Sequence, residues 1–219
     1  YTCTECGRCT ADCPANQTGK ELSPRAIMMK TRDRLEVVGR NMDKNGKFID
    51  DGKSLLDTIS NEEIWACTTC GACQEVCPVN IEHIRKIIEM RRNLVLTQSK
   101  MPESAQVMLR NMQSRGHPWS GVQSLRLRGD WTSGLDINPL ADGDQAHTLF
   151  WVGCTGALVE RNVKATLSMT KVLKAAGVVF GVLGEAETCC GDPARRAGND
   201  FQFQLMAEQN IELFKSHGI

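Results

Sequence analysis

The sequence predicts an α+β protein in two parts: a helical N-terminal half, then a smaller α/β portion. Three observations carry this expectation. Cysteine-rich loops alternate with helical periodicity over residues 1–100, a polar stretch rich in Gly and Pro occupies 101–146, and residues 147–219 read as strand, helix, strand, loop, helix. At 219 residues the chain is long enough for one or two domains, each with a core of its own.

In the first part, Ser23-Pro24 reads as a helix start, with Pro at the first helical position. Apolar residues at roughly helical spacing carry that helix through Ile27 and Met28 towards Val37 and Val38. The stretch 41–52, with its NG and DG pairs, reads as a turn-rich surface loop. Residues 55–64 are expected to form a second helix that delivers Trp65 and Cys67. Residues 81–96 should form a third, with Ile84, Ile87, Ile88 and Arg91 marking successive turns. The stretch 101–146 is expected to be a linker with one short helix.

In the last part, residues 147–152 (HTLFWV) should be a short buried strand ending at Gly153-Cys154. Residues 158–176 then read as a helix with Val159, Val163, Leu167 and Val172 near one face, closed by Gly177. Residues 178–182 are the next strand, and residues 200–216 the last helix, with Asp200 as its N-cap. Strand, helix, strand at this length makes one βαβ unit, right-handed and parallel.

Composition excludes several classes. The 26 basic and 26 acidic residues cancel, so no global basic field argues for nucleic acid. Aromatic residues at 5% are too few for a stacking platform on single strands. The longest apolar run, 178–183, is interrupted by Gly181 and far too short to span a bilayer. No signal peptide is visible. Eleven cysteines, an odd number with eight in tight CxxC clusters, fit metal ligation in a reducing compartment better than a secreted disulfide framework. The first cysteine motif opens two residues after Tyr1, and metal-ligand loops need backbone on both sides, so the chain is expected to be a segment of a longer polypeptide.

The first motif is Cys3-x2-Cys6-x2-Cys9-x3-Cys13-Pro14 and the second Cys67-x2-Cys70-x2-Cys73-x3-Cys77-Pro78. This is the bacterial ferredoxin run. Two residues between cysteines let a tight loop place three thiolates on three irons of a cube. The fourth cysteine, sent away by three residues and a proline, reaches the other cluster. By that rule one [4Fe–4S] cluster takes Cys3, Cys6, Cys9 and Cys77, and the other takes Cys67, Cys70, Cys73 and Cys13. Gly7 and Gly71 lie inside the loops, where backbone must pass close to sulfide. Structural zinc favours pairs of CxxC rather than a triple run with a trailing CP, and disulfides across such short loops would be strained. Helices between the cluster loops, with almost fifty residues separating the motifs, favour a mainly helical ferredoxin over the compact β-type.

A third set comprises Cys154 and the pair Cys189-Cys190, followed by Gly191. Adjacent cysteines cannot comfortably share one cubane, so this is not another ferredoxin site. Buried structural cysteine is the plain alternative. Cys154 and Cys189 fall at expected strand ends, facing the usual ligand crevice of an α/β unit, which raises the functional reading.

Two CxxCxxCxxxCP runs followed by GC…CCG resemble the heterodisulfide-reductase-related iron–sulfur oxidoreductases, the CCG-domain proteins. The stretches CTECGRC, TGKELSP, WACTTCGACQEVCPVNIEHI, EMRRNLVL and CCGDPARRAGN look like the membrane-bound branch paired with electron-transfer flavoprotein. The resemblance covers nearly the whole chain. It implies an oxidoreductase segment in which electrons from a flavoprotein cross two [4Fe–4S] clusters towards quinone. It also implies a cytoplasmic-face location, attached to the inner membrane through parts outside these residues. In the family each CCG domain is completed by a downstream CxxC, so Cys154, Cys189 and Cys190 are part of a ligand set whose iron–sulfur site would form only in the full-length protein. The alternatives are a heterodisulfide reductase or a glycolate or lactate oxidase iron–sulfur subunit, and, from a different class, a non-catalytic electron-transfer module.

Other residues weigh less. His83 reads as a helix cap or a hydrogen bond beside a cluster, ahead of a proton carrier at a quinone site. Trp65 would shield a cluster or simply pack. Gly116-His117-Pro118-Trp119 reads as a turn, and Arg91-Arg92 and Arg195-Arg196 as solvated faces. Gly19-Lys20 lacks the spacing of a phosphate loop. No Ser/His/Asp or Cys/His catalytic arrangement is present, and no catalytic residue is assigned.

Overall fold

The computed structural model describes residues 3–121, 137, 139–140 and 147–219. The chain divides into two compact units, Tyr1–Ser99 and Lys100–Ile219. In the first unit, α1 (Arg8–Ala11) and α2 (Pro14–Gln17) are single turns that follow the first cysteine loop. Helix α3 (Pro24–Arg40) begins where the sequence expects it. Ser23 Oγ accepts the amide N–H of Ala26 at 3.1 Å, and Pro24 sits at the first turn, where its missing N–H costs nothing. Only the first half of α3 packs inward, through Pro24 and Ile27, while Leu35 and Val37 are exposed. The following loop folds back on α3. Arg34 grips the Asp51 carboxylate at 2.6 and 2.8 Å, and that guanidinium holds the carboxyl well below its ordinary range.

The expected helix over 55–64 is not continuous. A 3₁₀ turn at Leu55–Asp57 stops, and α4 (Asn61–Ala66) starts afresh. Two capping boxes cause the break. Ser54 pairs with Asp57, and Ser60 Oγ accepts the Glu63 amide at 3.0 Å while Glu63 returns a carboxylate to the Ser60 amide at 2.9 Å. Between the two, Ile59 turns into the core at 1% exposure. Replacing Ser60 by Ala should destabilise this unit by about 1 kcal/mol, read as a lower denaturation midpoint. Helices α5 (Ala72–Glu75) and α6 (His83–Arg92) complete the unit, and α6 runs on into a wider π-type turn at Asn93–Thr97. Leu22, Ile27, Ile59, Ile64, Ile87 and Leu94 form the core, and Cys13 lies in it.

In the second unit, α7 (Glu103–Arg115) ends at Gly116 in the left-handed conformation, φ 67°. Its Leu109 and Met112 pack with Cys189, Ala194 and Met206, so this helix, expected within a linker, is part of a core. Residues 122–136, 138 and 141–146 of the expected linker lie outside the described residues. Next come α8 (Gly153–Leu158), α9 (Glu160–Ala175), α10 (Asp192–Arg196) and α11 (Asp200–Ser216).

Three expectations change here. The expected helix over 158–176 is present as Glu160–Ala175, but an unexpected short helix, Gly153–Leu158, precedes it across the extended Val159 (φ −100°, ψ 113°), and Val172 is exposed rather than on the packed face. The N-cap of α11 is Asn199, whose side chain accepts the Gln202 amide at 3.2 Å, not Asp200. The stretches 147–152 and 178–182 do not form strands. They pair in parallel, as expected, but among the described residues only through one isolated bridge, Leu149 to Gly181, while Val182 bridges in parallel to Pro139. Gly181 is the physical reason: it offers no side chain to pack, and a Cβ there would meet the Leu140 side chain at 2.7 Å. Val179, at 84% exposure, lies on no buried face.

Candidate functional site

The two cysteine loops of the first unit have one backbone design. In each, the second cysteine is flanked by two left-handed residues: Glu5 and Gly7 (φ 56° and 82°) around Cys6, Thr69 and Gly71 (φ 57° and 92°) around Cys70. Each glycine then opens a short helix carrying the third cysteine, Cys9 in α1 and Cys73 in α5. Successive backbone reversals curl the loop into a cup with amide groups available to its interior. Non-glycine residues at positive φ are strained, and Glu5 is held there by ion pairs to Arg32 at 2.5 Å and Arg25 at 3.4 Å. Those bonds, the one to Arg32 foremost, keep the Glu5 carboxyl below its ordinary range. A Cβ on Gly71 would touch nothing within 4 Å, so only the φ of 92° opposes a side chain. Gly71→Ala is therefore expected to cost about 1–2 kcal/mol, measured as a lower unfolding midpoint.

The fourth cysteines are placed by proline. Cys13 is the extended N-cap of α2 with Pro14 at the first turn, and Cys77 precedes Pro78. Helix α1 packs against α5, which brings the two loops together. Cys3, Cys6, Cys9 and Cys77 line one recess, together with Gly7, Arg25, Pro78, Ile81 and His83. Burial pushes the Cys9 thiol up, and Cys3, Cys77 and Cys6 push it further the same way. At the other loop burial pushes Cys67 up, and Cys73 to about 11, with Cys13 and Cys70 acting on both. The structure thus gathers Cys3, Cys6, Cys9 and Cys77 at one recess, and leaves Cys13 within electrostatic reach of Cys67 and Cys73 at the other loop.

These sets fit iron–sulfur ligation. All eleven cysteines are free thiols. Backbone amides already point at sulfur: Thr69 N–H donates to Cys67 Sγ at 3.4 Å, and Ile81 N–H to Cys77 Sγ at 3.3 Å. Among the described residues no three Cys, His, Asp or Glu converge on one point as a single metal ion requires. Four thiolates on the separate irons of a cube need no such convergence. Buried thiols with raised pKa give up their protons only as metal takes them, so loading releases protons and is weaker at low pH.

Two residues matter more than their sequence context suggested. Arg91, read as a turn marker and half of a solvated pair, is 5% exposed. Its guanidinium donates to the Ile64 carbonyl at 2.8 and 3.2 Å and the Cys67 carbonyl at 2.6 Å, and stacks over Trp65 at 4.9 Å. Burial pulls its pKa down while Cys67 pulls it up. The available signal was its place one turn after Ile87, on the apolar stripe of α6. His83 is the first residue of α6, whose N-cap is Glu82. His83 is 1% exposed, and burial pushes its imidazole below the ordinary range. Arg92 pairs with Glu89 at the surface, and Arg196 with Asp192 at 2.8 Å.

In the second unit Cys154, Cys189 and Cys190 come together as a hydrogen-bonded thiol group. Cys154 and then Cys190 push the Cys189 thiol strongly up, while Cys189 draws Cys190 down to about 6. Cys154 sits on the short helix α8 and not at a strand end, and Cys189 on an irregular loop. Buried Glu187, which the sequence did not flag, accepts the amides of Val152 and Gly153 at the start of α8. Asn210 of α11 donates to the Cys189 carbonyl at 3.0 Å, and the Cys189 amide donates to the Gly116 carbonyl at 2.9 Å, so the expected turn at 116–119 has a structural use. Gly191, at φ 85°, opens α10 directly after Cys190, repeating the cysteine–glycine–helix design of the first unit.

A helical unit with crossed cysteine loops, followed by a unit with a cysteine pair, defines an iron–sulfur redox protein. Residues 1–81 match the 4Fe-4S dicluster domain family, and residues 148–219 the cysteine-rich domain family. These two domains, in this order, are those of the CCG-type iron–sulfur proteins that the sequence resembles. It is 37% identical, over its whole length, to a probable iron-sulfur-binding oxidoreductase of Bacillus subtilis, of which the match covers 36%. It is 34% identical, again over its whole length, to the EtfAB:quinone oxidoreductase of Syntrophomonas wolfei, covering 34% of that protein. Against one component of the dihydromethanophenazine:CoB–CoM heterodisulfide reductase of Methanosarcina acetivorans it is 28% identical over 99% of its length, covering 52% of the relative. The chain spans about a third of the length of the first two relatives. No helix among the described residues is long and apolar enough to cross a membrane.

Proposed function

We propose that this chain relays single electrons from a reduced flavoprotein, of the electron-transfer flavoprotein type, towards quinone. Two [4Fe–4S] clusters would serve it, one on Cys3, Cys6, Cys9 and Cys77, the other on Cys67, Cys70, Cys73 and Cys13, and each would supply reversible one-electron storage. The observation that carries this reading is the crossed grouping of the eight cysteines. Shared ligands hold the two sites close, which suits a relay and is unnecessary in a structural staple. The residues bind and orient, exclude water, and set potential through amide-to-sulfur bonds and buried charge; none needs to act as acid or base. The dicluster part would occupy 1–100 and the CCG part 147–219, on the cytoplasmic face of the inner membrane where the lipid-soluble acceptor resides.

A second reading rests on Cys154, Cys189 and Cys190. Their mutual contact and the likeness to a heterodisulfide reductase component support a third iron–sulfur site completed by cysteines outside these residues, with disulfide chemistry there. Anaerobic loading of the chain with iron and sulfide separates the possibilities. About eight irons per chain supports two clusters, four irons each, and about twelve would mean that the third site assembles from these residues alone. Fewer than eight with bound zinc overturns the cluster assignment. Addition of reduced electron-transfer flavoprotein to the loaded chain should bleach its visible absorption. Bleaching by dithionite but not by the flavoprotein overturns the proposed donor.

A further inference from the structure

We propose that His83 donates a hydrogen bond from its Nδ1–H to the cluster held by Cys3, Cys6, Cys9 and Cys77, and so raises the reduction potential of that cluster above what its thiolates alone would set. The inference rests on the two-cluster reading. His83 lines the recess formed by those four cysteines, and it is 1% exposed. Its Nδ1 is sealed from solvent and meets no hydrogen-bond partner of normal geometry in the protein, the Ile81 carbonyl acting on the imidazole only as a minor influence beside burial. A buried polar atom without a partner is uncommon and calls for an explanation.

The same recess holds a second such atom. Arg25 also lines it, its NH2 group is tied to Glu5 at 3.4 Å, and its Nε is buried without a partner. Two residues lining one recess thus each carry a buried nitrogen that lacks an acceptor, and a cluster in the recess would supply one. Thiolates and sulfides accept and do not donate, so Nδ1 must carry the proton: a bare lone pair facing anionic sulfur would be repelled. At the other cysteine set the buried cation, Arg91, directs donors to the Ile64 and Cys67 carbonyls instead. Reduction adds negative charge to a cluster, and a donor beside it favours the reduced form.

The test uses the full chain, anaerobically loaded, with cluster potentials followed by EPR. His83→Leu should disfavour reduction of one cluster about tenfold, a shift of about −59 mV for one electron, and leave the other nearly unchanged. His83→Asn, which places an amide N–H near the Nδ1 position, should restore most of the loss. Equal potentials in the native and Leu proteins, at equal iron content, overturn the proposal. Should the Leu variant fail to load, the native protein still decides. With ¹⁵N-histidine incorporated, pulsed EPR of the reduced chain should show a nitrogen coupling that His83→Asn removes. Its absence from a chain with normal cubane signals overturns the role of His83, whereas absence of any cubane signal overturns the cluster reading itself.

Discussion

Cys77→Ser should lower the iron content of the loaded chain from about eight to about four, and the lost cluster should be the one built on Cys3, Cys6 and Cys9, some seventy residues earlier in the chain. The cause is the packing of α1 on α5, which places Cys77 in the recess of the first loop. Serine offers a harder, less acidic ligand that holds iron poorly compared with thiolate. Pairs of variants make the result decisive. With crossed ligation, Cys77→Ser and Cys3→Ser leave the same surviving EPR spectrum, and the double variant still holds about four irons. Cys13→Ser and Cys67→Ser form the reciprocal pair. If each motif instead served its own cluster, the Cys3/Cys77 double variant would lose both clusters, and crossing would be refuted.

Arg91→Met should destabilise the first unit by about 2–4 kcal/mol. Two carbonyls, of Ile64 and Cys67, lose donors at 2.6–3.2 Å in a site where the side chain is 5% exposed. A buried acceptor left unmatched costs about 1–3 kcal/mol. Loss of the stacking on Trp65 adds to this, and relief from burying a charge offsets part of it. Since a domain's whole stability is about 5–15 kcal/mol, a loss of this size is plainly measurable. It would be followed as the denaturant midpoint for loss of the visible cluster absorption. Because the Cys67 carbonyl follows directly on a ligand, cluster release should precede loss of helical signal. Arg91→Lys keeps a charge but not the fork that spans two carbonyls, and should recover less than half of the effect. A change below about 0.5 kcal/mol in Arg91→Met would mean that Arg91 is not a structural tie, since that is the range of ordinary surface substitutions.

The local chemistry was legible residue by residue. Cysteine spacing, the glycines at positive φ and the Ser23-Pro24 helix start all follow from contacts within a few residues, and these the chain writes out in order. Helix breaks were less legible. The capping box at Ser60 and Glu63 was visible in principle, but the apolar residues on either side masked it. The short parallel pairing was predicted in direction and over-predicted in extent, because alternation alone does not reveal that Gly181 faces Leu140. Cys154 was expected at a strand end for the same reason.

What the sequence alone determined is that this chain carries two complete ferredoxin-type cysteine runs and a separate cysteine pair. Ligand type and spacing are local properties, and a short loop has few ways to close around sulfur. What only the tertiary structure decided is which buried groups face those cysteines. Arg91 reaches back 24 residues to the Cys67 carbonyl, and His83 and Arg25, distant in sequence, meet at one recess. Each is an ordinary charged or titratable residue by composition. Its importance arises from burial, which removes water as the alternative partner and leaves only the groups that the fold has placed beside it.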